Sequence, residues 1–194
     1  AGLTKLFNLF TRNRDVKKRS LYMRRSDREI KEFDEMIRII KKCDVCRIAM
    51  NDGDFPYLVP LNFGLDVQDG QVYLYFHGAL EGKKIDILRN NNKVTFEMDC
   101  DHNFIFYDDR MSCTMGYESI IGHGIMEFLK EDQKFDALKI LMRQYHEEDF
   151  KFNTDMMKVT SVFRLKVLDM TGKRRNNVHK NSGKQHGLKN GIIK

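Results

Sequence analysis

No run of apolar residues in this 194-residue chain approaches the roughly 20 that a membrane-spanning helix requires, so a helical transmembrane protein is not expected. The first residues also lack the short apolar stretch and small-residue cleavage site of a secretory signal, which makes a cytoplasmic protein the expectation. Cysteine is scarce. Cys43, Cys46, Cys100 and Cys113, in a chain without an export signal, are expected as reduced thiols and not as a disulfide framework. Proline is scarcer, with two residues in all, and no G-x-G-x-x-G fingerprint follows a strand. A nicotinamide cofactor would therefore visit as a donor and not reside in a Rossmann fold. Internal repeats are absent too.

What the chain has in excess is basic charge, +6 in total, and its distribution matters more than its size. Residues 1–25 hold eight Lys/Arg against one acid, and residues 172–194 hold seven against none, so the body between them is acidic. A basic balance produced by two ends is a weak argument for a nucleic-acid-binding fold, and no specific nucleic-acid partner is expected. Three segments follow: a basic N-terminal arm over 1–25, one domain over 26–171 and a basic C-terminal tail over 172–194. Leu3, Leu6, Phe7 and Phe10 fall at helical spacing within the arm.

Ser26 with Glu29 fits a capping box, and Ile30, Phe33, Met36, Ile37 and Ile40 then form one apolar face of a helix ending near Lys42. The periodicity next turns to that of strands. Val45–Met50 and Tyr57–Phe63 flank Asn51-Asp52-Gly53-Asp54, and Gln68-Asp69-Gly70 leads into Val72–His77, which gives three antiparallel strands in a row. A helix over Gly82–Asn90 follows, then strands at Lys93–Asp99, Asn103–Phe106 and Tyr117–Phe128. A helix over Asp132–Tyr145, with Phe135, Leu138, Leu141 and Met142 inward, precedes a last strand at Ser161–Leu168. The order describes an α+β domain round an antiparallel sheet whose seven strands can close as a barrel.

The segment His77-Gly78-Ala79-Leu80-Glu81-Gly82-Lys83-Lys84 places two lysines in the first turn of a helix. Cations there oppose the helix dipole, and an anion would resolve the conflict, because free backbone N–H groups, the dipole and two ammonium groups together make a phosphate site. Exposed lysines at a cost of a few tenths of a kcal/mol satisfy the local pattern equally well. Cys43-Asp44-Val45-Cys46 is a C-x-x-C, but it lacks the closely spaced second pair of a zinc site and follows a helix end instead of opening one. Buried thiols are the expectation there, and no metal site is assigned. His102 and His123 carry no special signal.

Pro60-Leu61-Asn62-Phe63-Gly64, Tyr75-Phe76-His77, Glu81-Gly82-Lys83-Lys84-Ile85-Asp86-Ile87-Leu88, Tyr117-Glu118-Ser119-Ile120-Ile121-Gly122 and Met170-Thr171-Gly172-Lys173-Arg174 occur in that order. As a set they resemble the FMN-binding split β-barrels related to pyridoxamine phosphate oxidase, and more narrowly the nitroimidazole-resistance (Nim) reductases. The resemblance implies an antiparallel split β-barrel with peripheral helices, a homodimer with FMN at the subunit interface, and an oxidoreductase that reduces a small electron-poor acceptor such as a nitro-aromatic compound. A flavin or haem carrier without substantial turnover is the alternative. It further implies that Lys83 and Lys84 hold the phosphate, that Val59, Pro60, Leu61 and Asn62 run beside the isoalloxazine ring, and that Ser119 supplies a polar contact. His77 is implied to flank the flavin as the candidate catalytic group, with Lys173 and Arg174 a weaker match. The Arg-x-x-Leu-Leu-Lys pattern of the true oxidase and its Arg-containing C-terminal motif are absent, which argues against pyridoxamine phosphate as substrate.

Overall fold

A computed structural model describes residues 23–146 and 153–175. The expected amphipathic stretch from Leu3 to Phe10 and the tail beyond Arg175 lie outside them. Eight strands form one antiparallel sheet: β1 (Glu29–Ile30), β2 (Cys46–Asp52), β3 (Phe55–Leu61), β4 (Gly64–Gln68), β5 (Gln71–Ala79), β6 (Lys93–Tyr107), β7 (Ser112–Phe128) and β8 (Thr160–Arg175). Helix α1 (Phe33–Lys42) precedes β2, α2 (Lys83–Asn90) follows β5, and α3 (Glu131–Arg143) and the short α4 (Thr154–Lys158) lie between β7 and β8.

The sheet runs β3-β2-β6-β7-β8-β5-β4, with β1 paired to β8. Its two ends, β3 and β4, are successive in the chain but not bonded to each other, so the α+β fold is the expected split barrel, wrapped but not closed. The meander has four strands and not three. The segment read as one strand to Phe63 stops pairing with β2 at Leu61, and from Gly64 the chain pairs with β5 instead. Asp69 and Gly70 both adopt positive φ, 49° and 81°, the backbone a tight two-residue hairpin demands.

Other boundaries depart from the sequence reading, among them the start of β7, at Ser112 and not Tyr117. Ser26–Arg28 is a 3-10 turn and Glu29–Ile30 is strand, so α1 begins only at Phe33. The cause lies on β8, whose pairing with β5 ends at Lys166 and leaves an open edge that β1 fills at Gly172 and Lys173. Lys93–Tyr107 is one strand with a bulge between Cys100 and Asn103, not two strands. The last strand continues to Arg175, which places Gly172–Arg175 in the sheet. Helix α3 buries Lys134, Ala137, Leu138 and Leu141, while Phe135 is exposed beneath the Lys139 ammonium.

Alternation on the strands turns one side inward. Phe76, Phe96, Met98, Ile120, Phe163 and Leu165 are fully buried in the barrel, and Ile39 and Ile40 of α1 join them. Helix α1 packs on β6 and β7, α2 on β2, and α3 on β4, β5 and β8. Gly64 lets α3 approach, since a Cβ there would collide with the Leu141 backbone. The Tyr145 hydroxyl just past α3 ties that helix to the β2–β3 end of the sheet, accepting from the Phe63 amide at 2.9 Å and donating to the Asp44 carbonyl at 2.8 Å.

Candidate functional site

The corner between β5 and α2 gathers the charged groups that the sequence singled out. Gly82, at φ 125°, turns the chain into α2; its carbonyl accepts from the Ile85 and Asp86 amides and no side chain caps the helix, which leaves the Lys83 and Lys84 amides to another acceptor. Lys83 and Lys84 occupy the first turn, and the structure separates them. Lys83 is exposed and reaches back to the β2–β3 hairpin, where its Nζ lies 2.6 Å from Asp52 and 4.9 Å from the Tyr57 ring centroid. Lys84 turns the other way, over the backbone of Gly78, with its Nζ 5.8 Å from the Phe163 ring centroid.

Lys84 is half-buried and pairs with no carboxylate among the described residues. Burial pushes its ammonium below the usual lysine range. An ammonium desolvated without a counter-ion is the condition that an incoming anion relieves. His77 stands on the adjoining stretch of β5, opposite Val162 of β8. Its ring reaches the surface, yet surrounding protein removes water from it, and this desolvation, followed by repulsion from Lys84, lowers its pKa. Near neutral pH the imidazole is therefore uncharged, suited to hydrogen bonding and poorly charged as an acid.

The remaining expected site residues lie elsewhere. Val59 and Leu61 turn toward the core from β3, whereas Pro60 and Asn62 face outward, and β3 is an end of the sheet with one backbone edge open. Ser119 lies on β7 between Asp99 and Lys173, while Gly78 pairs with Ser161. Ser119 and the His77–Lys84 corner thus sit against opposite ends of β8, a strand of 16 residues at about 3.3 Å each before curvature. One chain does not bring them together. Arg174 is not at the corner either: it turns inside to bond Glu118 and Glu35.

Three contributors to the corner escape sequence reading: Asp52 and Tyr57, which engage Lys83, and Phe163, which walls Lys84. Only the hairpin signal at Asp52-Gly53 hinted that this end of β2 mattered. The cysteines are placed as structural thiols. Cys43 and Cys46 are buried, and burial drives both thiols well above their ordinary range. Donor atoms of Cys100, Asp101 and Glu118 converge within 4.8 Å of one another, but the cation among them is the Lys42 ammonium, 2.5 Å from Asp101 and 3.6 Å from Glu118.

The family profile described as pyridoxamine 5′-phosphate oxidase matches residues 32–174. A comparison with curated proteins gives no match. Among solved structures, a candidate 5-nitroimidazole antibiotic resistance protein from Bacteroides thetaiotaomicron is 32% identical, over 75% of this chain and 86% of its own, with a TM-score of 0.66. The FAD and heme binding protein of Mycobacterium smegmatis is 14% identical over 80% of this chain and 77% of its own, at a TM-score of 0.67. A flavocytochrome of Azotobacter vinelandii is 15% identical over 82% and 74%, at 0.68. These last two share the fold alone. No helix among the described residues is long and apolar enough to cross a membrane.

Proposed function

The chain belongs to the pyridoxamine 5′-phosphate oxidase family, and on that footing we propose that it is an FMN-dependent oxidoreductase reducing a small electron-poor acceptor, of the nitro-aromatic kind. The observation that carries the proposal is Lys84: a half-buried ammonium with no carboxylate partner among the described residues, one residue into a helix that no side chain caps. Such a site accepts a phosphate through charge-assisted hydrogen bonds and the free amides of the helix start. Lys84 is the direct phosphate ligand; Lys83, engaged by Asp52, ties α2 to the hairpin and adds field.

Bound flavin would supply the electron transfer, and the protein supplies position, electrostatics and exclusion of water. The open edge of β3 at Val59, Pro60, Leu61 and Asn62 offers backbone groups to a planar ring, and His77 hydrogen-bonds beside it. Because Ser119 lies at the far end of β8 from Lys84, its contact to the same flavin comes from a second copy of the chain, which makes the working unit a homodimer. The nitroimidazole-resistance description of the 32%-identical relative supports the choice of acceptor.

Titration with FMN tests this. The protein should quench flavin fluorescence and melt at a higher temperature, and ligand at 100 times its dissociation constant adds about 2.7 kcal/mol of stability. Lys84→Ala should weaken FMN binding by roughly 10- to 100-fold, the value of one charge-assisted bond to a desolvated group. A protein that neither quenches FMN nor gains stability from it is not a flavoprotein. Consumption of reduced nicotinamide in the presence of a nitro-aromatic, no faster than with free FMN, would instead mark a flavin carrier.

A further inference from the structure

Gly78 carries a role that no backbone requirement explains. It sits within β5, paired with Ser161, and its φ is not among the positive values that call for glycine. A glycine in a strand interior gives up packing and adds unfolded-state entropy, by roughly 0.5–1 kcal/mol against alanine. What the missing side chain leaves room for is Lys84. A Cβ on Gly78 would lie 2.8 Å from the Lys84 Nζ and 3.0 Å from its Cε, whereas its next neighbour, a Phe163 ring carbon, is at an ordinary 3.9 Å.

From this we propose that Gly78 is the positioning residue of the anion site: its bare Cα is the floor that holds the Lys84 ammonium in place beside the Phe163 ring. The proposal rests on the phosphate role given to Lys84 above. The floor sets two things together. It fixes where the ammonium stands, and it keeps that ammonium partly out of water, so that a phosphate arriving there gains more than it would from a lysine free to swing into solvent. The obstruction is one-sided. The atoms in the way are the far end of a flexible side chain, so a methyl group is accommodated by moving Lys84 and not by moving the sheet.

Gly78→Ala is therefore expected to leave the melting temperature of FMN-free protein within a few degrees of the parent while weakening FMN binding by roughly 5- to 20-fold, somewhat less than Lys84→Ala. Added to Lys84→Ala, the same substitution should have no further effect, because the group it displaces is gone. Without FMN, the Lys84 pKa followed by NMR of ε-labelled lysine should rise toward the ordinary lysine value in Gly78→Ala. If Gly78→Ala binds FMN as the parent does while Lys84→Ala does not, or leaves the Lys84 pKa unmoved, Gly78 positions nothing. If the alanine weakens FMN equally in the Lys84→Ala background, it obstructs the ligand itself and the proposal is overturned. If neither variant changes FMN affinity, or the parent does not bind FMN, the phosphate role of Lys84 fails and the positioning role falls with it.

Discussion

Phe163→Ala is expected to lower the stability of the fold by about 3–5 kcal/mol, which for a domain of this size moves the melting temperature by roughly 10 °C or more. Phe163 is fully buried at the meeting of β5, β7 and β8. Its ring stacks on Phe76 at 5.8 Å between centroids and leans against Phe128 at 5.9 Å. Both flanking strands pair with β8 without a break from Phe163 to Lys166, so the backbone has little freedom to collapse into the space the ring leaves. The loss then combines the transfer of an aromatic side chain out of the core with an unfilled cavity, the combination that gives the largest single-residue effects. Phe55 provides the internal comparison. It is 81% exposed at the tip of the β2–β3 hairpin, and Phe55→Ala should change stability by no more than about 0.5 kcal/mol. Urea denaturation of the two variants against the parent decides the matter, and a Phe163→Ala loss below about 1 kcal/mol would mean that the barrel repacks freely around this point.

The parts of the fold legible in the sequence are those determined locally. The Asp-Gly pairs at both hairpins, the strand from Val72 to Phe76 and the part of the α1 face formed by Met36, Ile37 and Ile40 each act within a few residues, and each appears where its pattern places it, whereas Ile30 enters a strand and Phe33 is exposed. What stayed illegible depends on partners far away in the chain. Nothing near Ser26 reveals that β8 leaves an open edge at Gly172, which turns a helical capping pattern into a short strand. Nothing near Phe63 reveals that the strand must change neighbours to open the barrel. The candidate site divides in the same way. Lys83 and Lys84 look equivalent by position, and only the fold shows that Asp52, more than 30 residues earlier, takes one and leaves the other. Gly78 reads as a weak spot in a strand until Lys84 is seen lying across it.

Glu118→Ala is expected to cost about 3 kcal/mol, because it empties the centre of a buried knot of charge. The Glu118 side chain, 5% exposed on the inner face of β7, bonds Arg174 through Nε, receives Arg38 at 2.9 Å and 3.0 Å, and lies 3.6 Å from the Lys42 ammonium. Glu35 on α1 completes the arrangement with Arg38 at 2.8 Å and with Arg174. Removing the buried carboxylate leaves three cations facing one another. They are themselves partly exposed and can turn to water, so the loss falls at the low end of what breaking a buried ion pair produces. Arg174→Ala should be milder, since Glu118 keeps two partners, and the double variant should lose less than the two separate losses combined, the signature of direct coupling. Acid acts on the same knot. The Arg38 and then the Arg174 hydrogen bonds hold the Glu35 pKa down to about 2, against an ordinary value of 4.5. A carboxylate with a depressed native pKa contributes stability that is complete above its unfolded pKa and disappears as pH falls toward the native one. The stability gap between the parent and Glu35→Gln should therefore be full at about pH 6 and close between roughly 4.5 and 2. Chemical denaturation across that range reads it directly, and a gap that persists unchanged below pH 3 would mean that Glu35 contributes through packing and not through its charge.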